Sequence, residues 1–191
     1  MDDVWTDLDA TRRDVWRRLQ RGVADRRAAA RHPVLATQGR AGWPEARTVV
    51  LRRVSVDAAT VEIHTDTASA KIADLDVCPR ASLMVWDPKA DLQIRLRLRM
   101  ETLTVAGAGA DLVSARWAAI PEAARRPYGT EPAPGQPIPA PEAVAHTPRP
   151  ERFAVLLGHV EEIETLHLGP DRHRRAVFAR GRGWVGQWLS P

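Results

Sequence analysis

Residues 46–100 contain four runs with strand character, ARTVVLRRV, ATVEIHTD, RASLMVWD and DLQIRLRLRM, and this spacing constrains the fold more than any other feature of the chain. In the last run Gln93, Arg95, Arg97 and Arg99 alternate with Ile94, Leu96, Leu98 and Met100. Successive side chains of a strand point to opposite faces, so this run has one apolar face and one face of an amide and three guanidiniums. An antiparallel strand with one solvated face accounts for Arg97 and Arg99 without a ligand. Between the second and third runs, TASAKIADLDVCPR reads as a short helix. Such a sheet buries one face and leaves Arg47, Arg52, Thr65, Ser69, Lys71 and Gln93 available. Three cations, two hydroxyls and one amide suit a phosphorylated heteroaromatic ligand better than a metal or an acyl substrate.

Hairpin signals surround this block. HPVLATQG predicts a strand, GRAGWP a turn, and a second strand begins near Glu45. Residues 3–30 read as a helix, with Val4, Leu8, Thr11, Val15 and Leu19 on one stripe and Asp2, Asp3 and Asp7 at its start. VSARWAAIPEAARRPYG reads as a helix split at Pro121. Residues 130–150 read as a proline-rich irregular loop with polyproline character. RFAVLLGHVEEIETLHLG is a pair of strands or one long bent strand, and HRRAVFARGRGWVGQWLSP is a strand, a turn at Gly181–Gly183 and a short last segment. Many short strands with a leading helix and a helical insertion predict one mainly β domain over 1–191, an antiparallel barrel with flanking helices.

The length of 191 residues suits one core. No apolar run is long enough to span a bilayer, and the first residues lack an apolar signal region, so the expectation is a cytoplasmic protein with no membrane partner. A lone cysteine, Cys78, excludes an internal disulfide and a cysteine-built zinc site. The net charge of +4 and pI of about 10.1 invite a nucleic-acid reading. The arginines are mixed with acids along the chain and the aromatics form no stacking ladder, so no nucleic acid is expected. Only two lysines occur, Lys71 and Lys89; Lys89 lies in a DPKAD turn, where a solvated role suffices.

Phosphate calls for charge-assisted donors, and Arg47, Ser69 and Lys71 supply them with the Thr65 hydroxyl. Ser69 and Lys71 fall at the start of the short helix, where backbone N–H groups also favour an anion, although a serine there is more often a simple cap. The histidines lack metal spacing, Ser114 and Ser190 lack a hydrolase context, and Gly107 and Gly109 match only part of a dinucleotide fingerprint, with Leu112 at the third position. Trp184 and Trp188 read as packing residues, and Trp86 as a core or interface residue. No catalytic acid or base is visible.

In order, spacing and residue type, RTVVLRR, IHTDTASAK, CPRASLMVWD and LQIRLR resemble the pyridoxamine 5′-phosphate oxidase-like, FMN-binding split-barrel family, in its bacterial oxidase-like branch. LHLGPDRHRRAVF and the terminal WLSP extend the resemblance to nearly the whole chain. It implies an antiparallel split β-barrel of Greek-key type, FMN as cofactor, oxidoreductase chemistry on a small molecule, and a homodimer with FMN at the interface. It places Arg47, Thr48, Val49, Val50, Leu51 and Arg52 beside the flavin, with Arg47 on the phosphate. His64 and Thr65 correspond to an aromatic-threonine pair, Ser69 and Lys71 to the phosphate element, and Gln93 to the ring's polar edge. Arg172 and Arg174 align with a substrate-phosphate Arg-x-His pair.

The departures concern function. Ala70 stands where vitamin B6 oxidases carry a phosphate arginine, and Arg52 replaces a lysine. Leu166 occupies the place of a flavin-contacting tryptophan and Ala176 that of an arginine; Arg174 replaces the substrate histidine. These changes keep FMN binding in view and weaken the case for pyridoxamine phosphate oxidation. A flavin-binding or storage protein without turnover, and a split barrel holding haem or a deazaflavin, remain as alternatives.

Overall fold

The computed structural model describes residues 4–107 and 109–191. Asp2 and Asp3, expected at the helix start, lie outside the described residues. The first long helix, α1 (Leu8–Ala24), is shorter than the predicted 3–30 span. Asp7 caps it, accepting the Ala10 N–H at 2.6 Å, so the chain before Asp7 is a separate short 3-10 turn. The helix continues through Gly22. A Cβ there would fall 2.6 Å from the Ala30 backbone, so glycine lets residues 29–31 fold back against α1 as a second 3-10 turn. Val15 and Leu19, on the predicted stripe, are fully buried.

The strands follow as β1 (Val34–Gln38), β2 (Pro44–Thr48), β3 (Leu51–Ser55) and β4 (Thr60–Asp66). The run read as one strand through residues 46–54 is therefore two. Helix α2 (Ala70–Val77) comes next, then β5 (Arg80–Asp87), β6 (Leu92–Thr104) and α3 (Ala110–Ala118). Gly109 is the N-cap of α3, so the partial glycine fingerprint is a helix start. The proline-rich segment is not wholly irregular, because β7 (Thr130–Glu131) and β8 (Ala145–His146) form a small antiparallel ladder in it. The last elements are β9 (Phe153–Leu168), β10 (His173–Ala179) and β11 (Gly186–Leu189).

All pairings are antiparallel. The order β11-β10-β9-β6-β5-β1-β2 is closed by β3, which continues β2 and pairs with β4, which in turn pairs with β9. The segment left open between two strands and one is a single 16-residue strand, β9. Its first half pairs with β4 and its second half with β10, while β6 runs along its other edge. That branching splits the barrel. The architecture is the expected mainly β split barrel with flanking helices.

Burial follows the β6 alternation. Leu92, Ile94, Leu96, Leu98 and Met100 are buried, and Arg97 and Arg99 are exposed. Leu96 meets Leu83 on β5 and Ile163 on β9 in register, all three fully buried. Burying each such side chain contributes about 1.5–3 kcal/mol. Leu96→Ala would cost about 2–5 kcal/mol. A second cluster, Val113, Tyr128, Phe153 and Val155, lies under α3 on the other face of β4. No helix among the described residues is long and apolar enough to cross a membrane.

Candidate functional site

Helix α2 packs against β1 and carries Asp74, whose buried carboxylate organises one end of the barrel. It accepts the Thr37 hydroxyl at 2.9 Å, and the Arg47 guanidinium lies 3.3 Å from the same oxygen. Arg47 also donates to the Thr37 hydroxyl at 2.6 Å. At the other end of the helix Ser69 is the N-cap residue, yet its side chain caps nothing. Its hydroxyl instead lies 3.0 Å from the Thr65 hydroxyl, and Lys71 Nζ donates to Thr65 at 3.0 Å. Thr65 and Ser69 are buried and Lys71 is half-buried. Burial, reinforced by the neighbouring Arg47 charge and opposed by Asp66 and Asp74, holds the Lys71 ammonium below its ordinary pKa. Thr65, Ser69 and Lys71 are thus joined by hydrogen bonds, with the Arg47 guanidinium near enough for its charge to act on Lys71.

Asp66 fixes the loops around this cluster. One carboxylate oxygen accepts the Ala68 N–H at 2.7 Å and Arg152 at 2.9 and 3.0 Å; the other accepts the Gly129 N–H at 2.8 Å. The start of α2, the proline-rich segment and the start of β9 therefore meet on one carboxylate. Asp66, Asp74 and Thr37 were not singled out from sequence. The i,i+3 spacing of Lys71 and Asp74 on one helix was the available signal.

The remaining expected residues do not join the cluster within this chain. Leu51 points into the core and Val49 is buried, while Thr48 is exposed. Between β2 and β3 the ladder is interrupted: the Val49 N–H donates to the Pro33 carbonyl at 2.9 Å, and Val50 enters no backbone pair among the described residues. Arg52 sits at a register shift of β3. Its Nε is buried without a partner, and its charge limits the rise that burial imposes on the Tyr128 phenol.

His64 lies on the opposite face of β4 from Thr65, edge-on to Phe153 at 4.9 Å. Its Nε2 is 2.8 Å from Glu62, which also accepts Arg116 Nε at 2.9 and 3.1 Å. Burial raises the Glu62 carboxyl, and the His64 and Arg116 bonds outweigh it, leaving the pKa below its ordinary value. The i,i+2 spacing of Glu62 and His64 on a strand was the missed signal for this buried group.

Gln93 stands between Trp86 on β5 and Leu166 on β9. The row of Thr37 reaches β6 at Leu98 through Ala81. Gln93 is therefore five residues along β6 from that row, about 17 Å at the usual rise of a strand. Arg172 is exposed in the β9–β10 turn, and Arg174 pairs in register with His167, so both lie at the Gln93 end. Beside them Glu164 accepts Arg95 at 2.6 Å and Arg175 at 2.9 Å. A mainly apolar groove of about 920 Å³ runs over the outer face of β1, β5 and β6 and reaches Thr37. No group of three or more metal-ligating side chains occurs among the described residues.

Residues 13–104 match the family described as pyridoxamine 5′-phosphate oxidase, FMN-binding domain. A pyridoxine/pyridoxamine 5′-phosphate oxidase from Anaeromyxobacter dehalogenans (strain 2CP-C) is 31% identical over 180 residues, covering 86% of this chain and 90% of the relative. The chain belongs to the pyridoxamine 5′-phosphate oxidase family. Among solved structures, a pyridoxamine 5′-phosphate oxidase-related, FMN binding protein from Nostoc punctiforme PCC 73102 superposes with a TM-score of 0.75 at 26% identity, covering 94% of this chain and 96% of its own. PhzG from Burkholderia lata 383, solved with tetrahydrophenazine-1-carboxylic acid, has the same TM-score at 20% identity over 100% and 98% of the chains, and shows the shared fold. The matched family segment contains Arg47, Thr65, Ser69, Lys71 and Gln93. It also contains the β2–β3 interruption.

Proposed function

We propose that the Arg47, Thr65, Ser69 and Lys71 cluster holds the phosphate of FMN, and that the protein is an FMN-dependent oxidoreductase acting on a small molecule. The observation that carries this reading is the state of Lys71. An ammonium has three donors, and this half-buried one donates to one hydroxyl, with no carboxylate in ion-pair range among the described residues. A phosphate would satisfy the remaining donors and restore the pKa that burial depresses. The side chains fit the group in charge, donor type and burial.

Bound FMN would supply hydride acceptance and donation at its ring. The chain's own contribution is to bind and orient it. Val50 and the Val49 carbonyl offer backbone groups where the ladder is interrupted, and Arg52 brings a cation two residues further along the chain. We further propose a homodimer of this single domain, working in the cytoplasm, in which a second copy supplies Gln93, Arg172 and Arg174. The separation of Gln93 from the Thr37 row supports this, because the two groups then complete one site from two chains. The apolar groove over β1, β5 and β6 gives the second copy a face to cover.

A second reading, flavin binding without turnover, is favoured by two positions: Leu166, beside Gln93, and the fully buried Ala176 replace the family's tryptophan and arginine. The visible absorption spectrum before and after FMN addition tests the first reading. Retained flavin bands are expected, and a protein that rejects FMN overturns it. Reduction of the bound flavin by a nicotinamide donor or a substrate would then remove the storage reading.

A further inference from the structure

We propose that Thr37 and Asp74 are positioning residues for Arg47: together they pin one edge of its guanidinium and leave the other edge, Nε and Nη2, for a phosphate. The inference rests on the reading of the α2 cluster as the FMN phosphate site. Three elements contribute, since β1 carries Thr37, β2 carries Arg47 and α2 carries Asp74. Leu35 pairs with Arg47 in register, so Thr37 is the diagonal cross-strand neighbour of Arg47. A long side chain spans that diagonal. Thr37 and Asp74 are each 5% exposed, so the bond between them is shielded from solvent.

Chemistry fixes the order of donors. A guanidinium only donates and a carboxylate only accepts, whereas a hydroxyl does both. The single Thr37 proton therefore goes to Asp74, at 2.9 Å, and its lone pairs accept Arg47 Nη1 at 2.6 Å. Nη1 also donates to the Leu35 carbonyl at 3.4 Å, and Nη2 lies 3.3 Å from the Asp74 carboxylate. Both Nη1 hydrogens and one on Nη2 are thus engaged. The Nε hydrogen and the second on Nη2 have no partner among the described residues. These two share one edge of the planar group, and parallel donors of that kind match two oxygens of a phosphate. A flexible side chain loses rotamer freedom when a ligand fixes it, and one already fixed does not. Thr37 and Asp74 act on the ligand only through Arg47: Asp74 orients the hydroxyl, and the hydroxyl orients the guanidinium.

The test is titration of FMN and riboflavin into the full chain carrying Thr37→Val, Thr37→Ser or Arg47→Ala, and Thr37→Val combined with Arg47→Ala. Thr37→Val keeps the shape and removes the hydroxyl. It is expected to weaken FMN at least about fivefold and riboflavin less than about twofold. Thr37→Ser keeps the hydroxyl and should hold the FMN-to-riboflavin ratio within about twofold of the unaltered protein. Once Arg47 is alanine, adding Thr37→Val should change that ratio by less than about twofold, because the residue it acts through is gone. A merely structural role would weaken both ligands alike and persist in that background. Thr37→Ala is read in the same way if the valine variant does not fold. An unchanged ratio in Thr37→Val, a lost ratio in Thr37→Ser, or an undiminished effect in the Arg47→Ala background overturns the assignment. In each of these cases an FMN-selective loss in Lys71→Ala leaves the phosphate reading standing. A protein that rejects FMN overturns both.

Discussion

The two ends of this barrel hold ionic groups built from the same residue types, and they are satisfied to different degrees. At the β6–β9–β10 end, Glu164 is buried and closed by two guanidiniums, Arg95 and Arg175. At the α2 end, Asp74 is closed by Thr37 and Arg47, but among the described residues Lys71 donates to the Thr65 hydroxyl alone. A closed group consumes its own charge and fixes strands in register. An incomplete one carries a desolvation cost that a bound anion removes. The difference separates a scaffold from a binding site within one sheet.

The comparison breaks most visibly at Asp66, the carboxylate that ties three segments around Lys71. Asp66→Ala strands Arg152 and releases the Gly129 and Ala68 N–H groups. The expected loss of stability is about 3 kcal/mol or more. Denaturant unfolding measures it, and an unchanged midpoint would show that the loops are held elsewhere.

Lys71→Ala should weaken FMN by about 1.5–3 kcal/mol and riboflavin far less, since a charge-assisted bond to phosphate is lost. Parallel titrations of the two ligands decide it, and equal losses would remove Lys71 from the phosphate. Arg47→Ala should also discriminate against FMN, but with a loss of stability, because Arg47 is joined to Thr37 and Asp74. Glu164→Gln tests the closed end. It should lower stability by about 1–2 kcal/mol, discounted for the partial exposure of Arg95 and Arg175, and leave the FMN-to-riboflavin ratio unchanged. A changed ratio would mean that the two ends are coupled.

The alternation of β6 was legible because period 2 places every second residue on one face, and Leu92 to Met100 are buried as that rule requires. Arg47, Thr65, Ser69 and Lys71 were legible as a donor set, and the last three are joined by hydrogen bonds with the Arg47 charge acting on Lys71. The carboxylates opposite them were not, since Asp66 and Asp74 resemble any solvated acid until the closing barrel buries them. The division of residues 46–54 into two strands was hidden because Val49 and Val50 suit a continuous strand; the interruption arises from closure, as β2 leaves β1 and β3 joins β4. The N-terminal helix was overextended because its apolar stripe does not mark the cap at Asp7, and Gly22 proved to be a packing contact. Gln93 lies on the outward face that alternation predicts, but its separation from the phosphate donors depends on register, which no local pattern supplies.

The finest test of the contrast is its pH dependence. Lys71 is held below its ordinary pKa of 10.5, mainly by burial and then by Arg47. In the ligand-free protein this disfavours the charged folded state. The penalty is fully present below the folded pKa and is relieved as pH rises from there toward 10.5, because the unfolded chain then binds more protons. A phosphate reverses the preference by favouring the ammonium. FMN binding should therefore take up a proton above the ligand-free Lys71 pKa, and the advantage of FMN over riboflavin should shrink as pH rises through that value. Calorimetry in two buffers of different ionisation enthalpy counts the proton directly. Lys71→Arg, which stays charged throughout, should abolish the uptake and flatten the profile. Proton uptake that persists in Lys71→Arg would assign the titration to another group and leave the open end of the barrel without its defining charge.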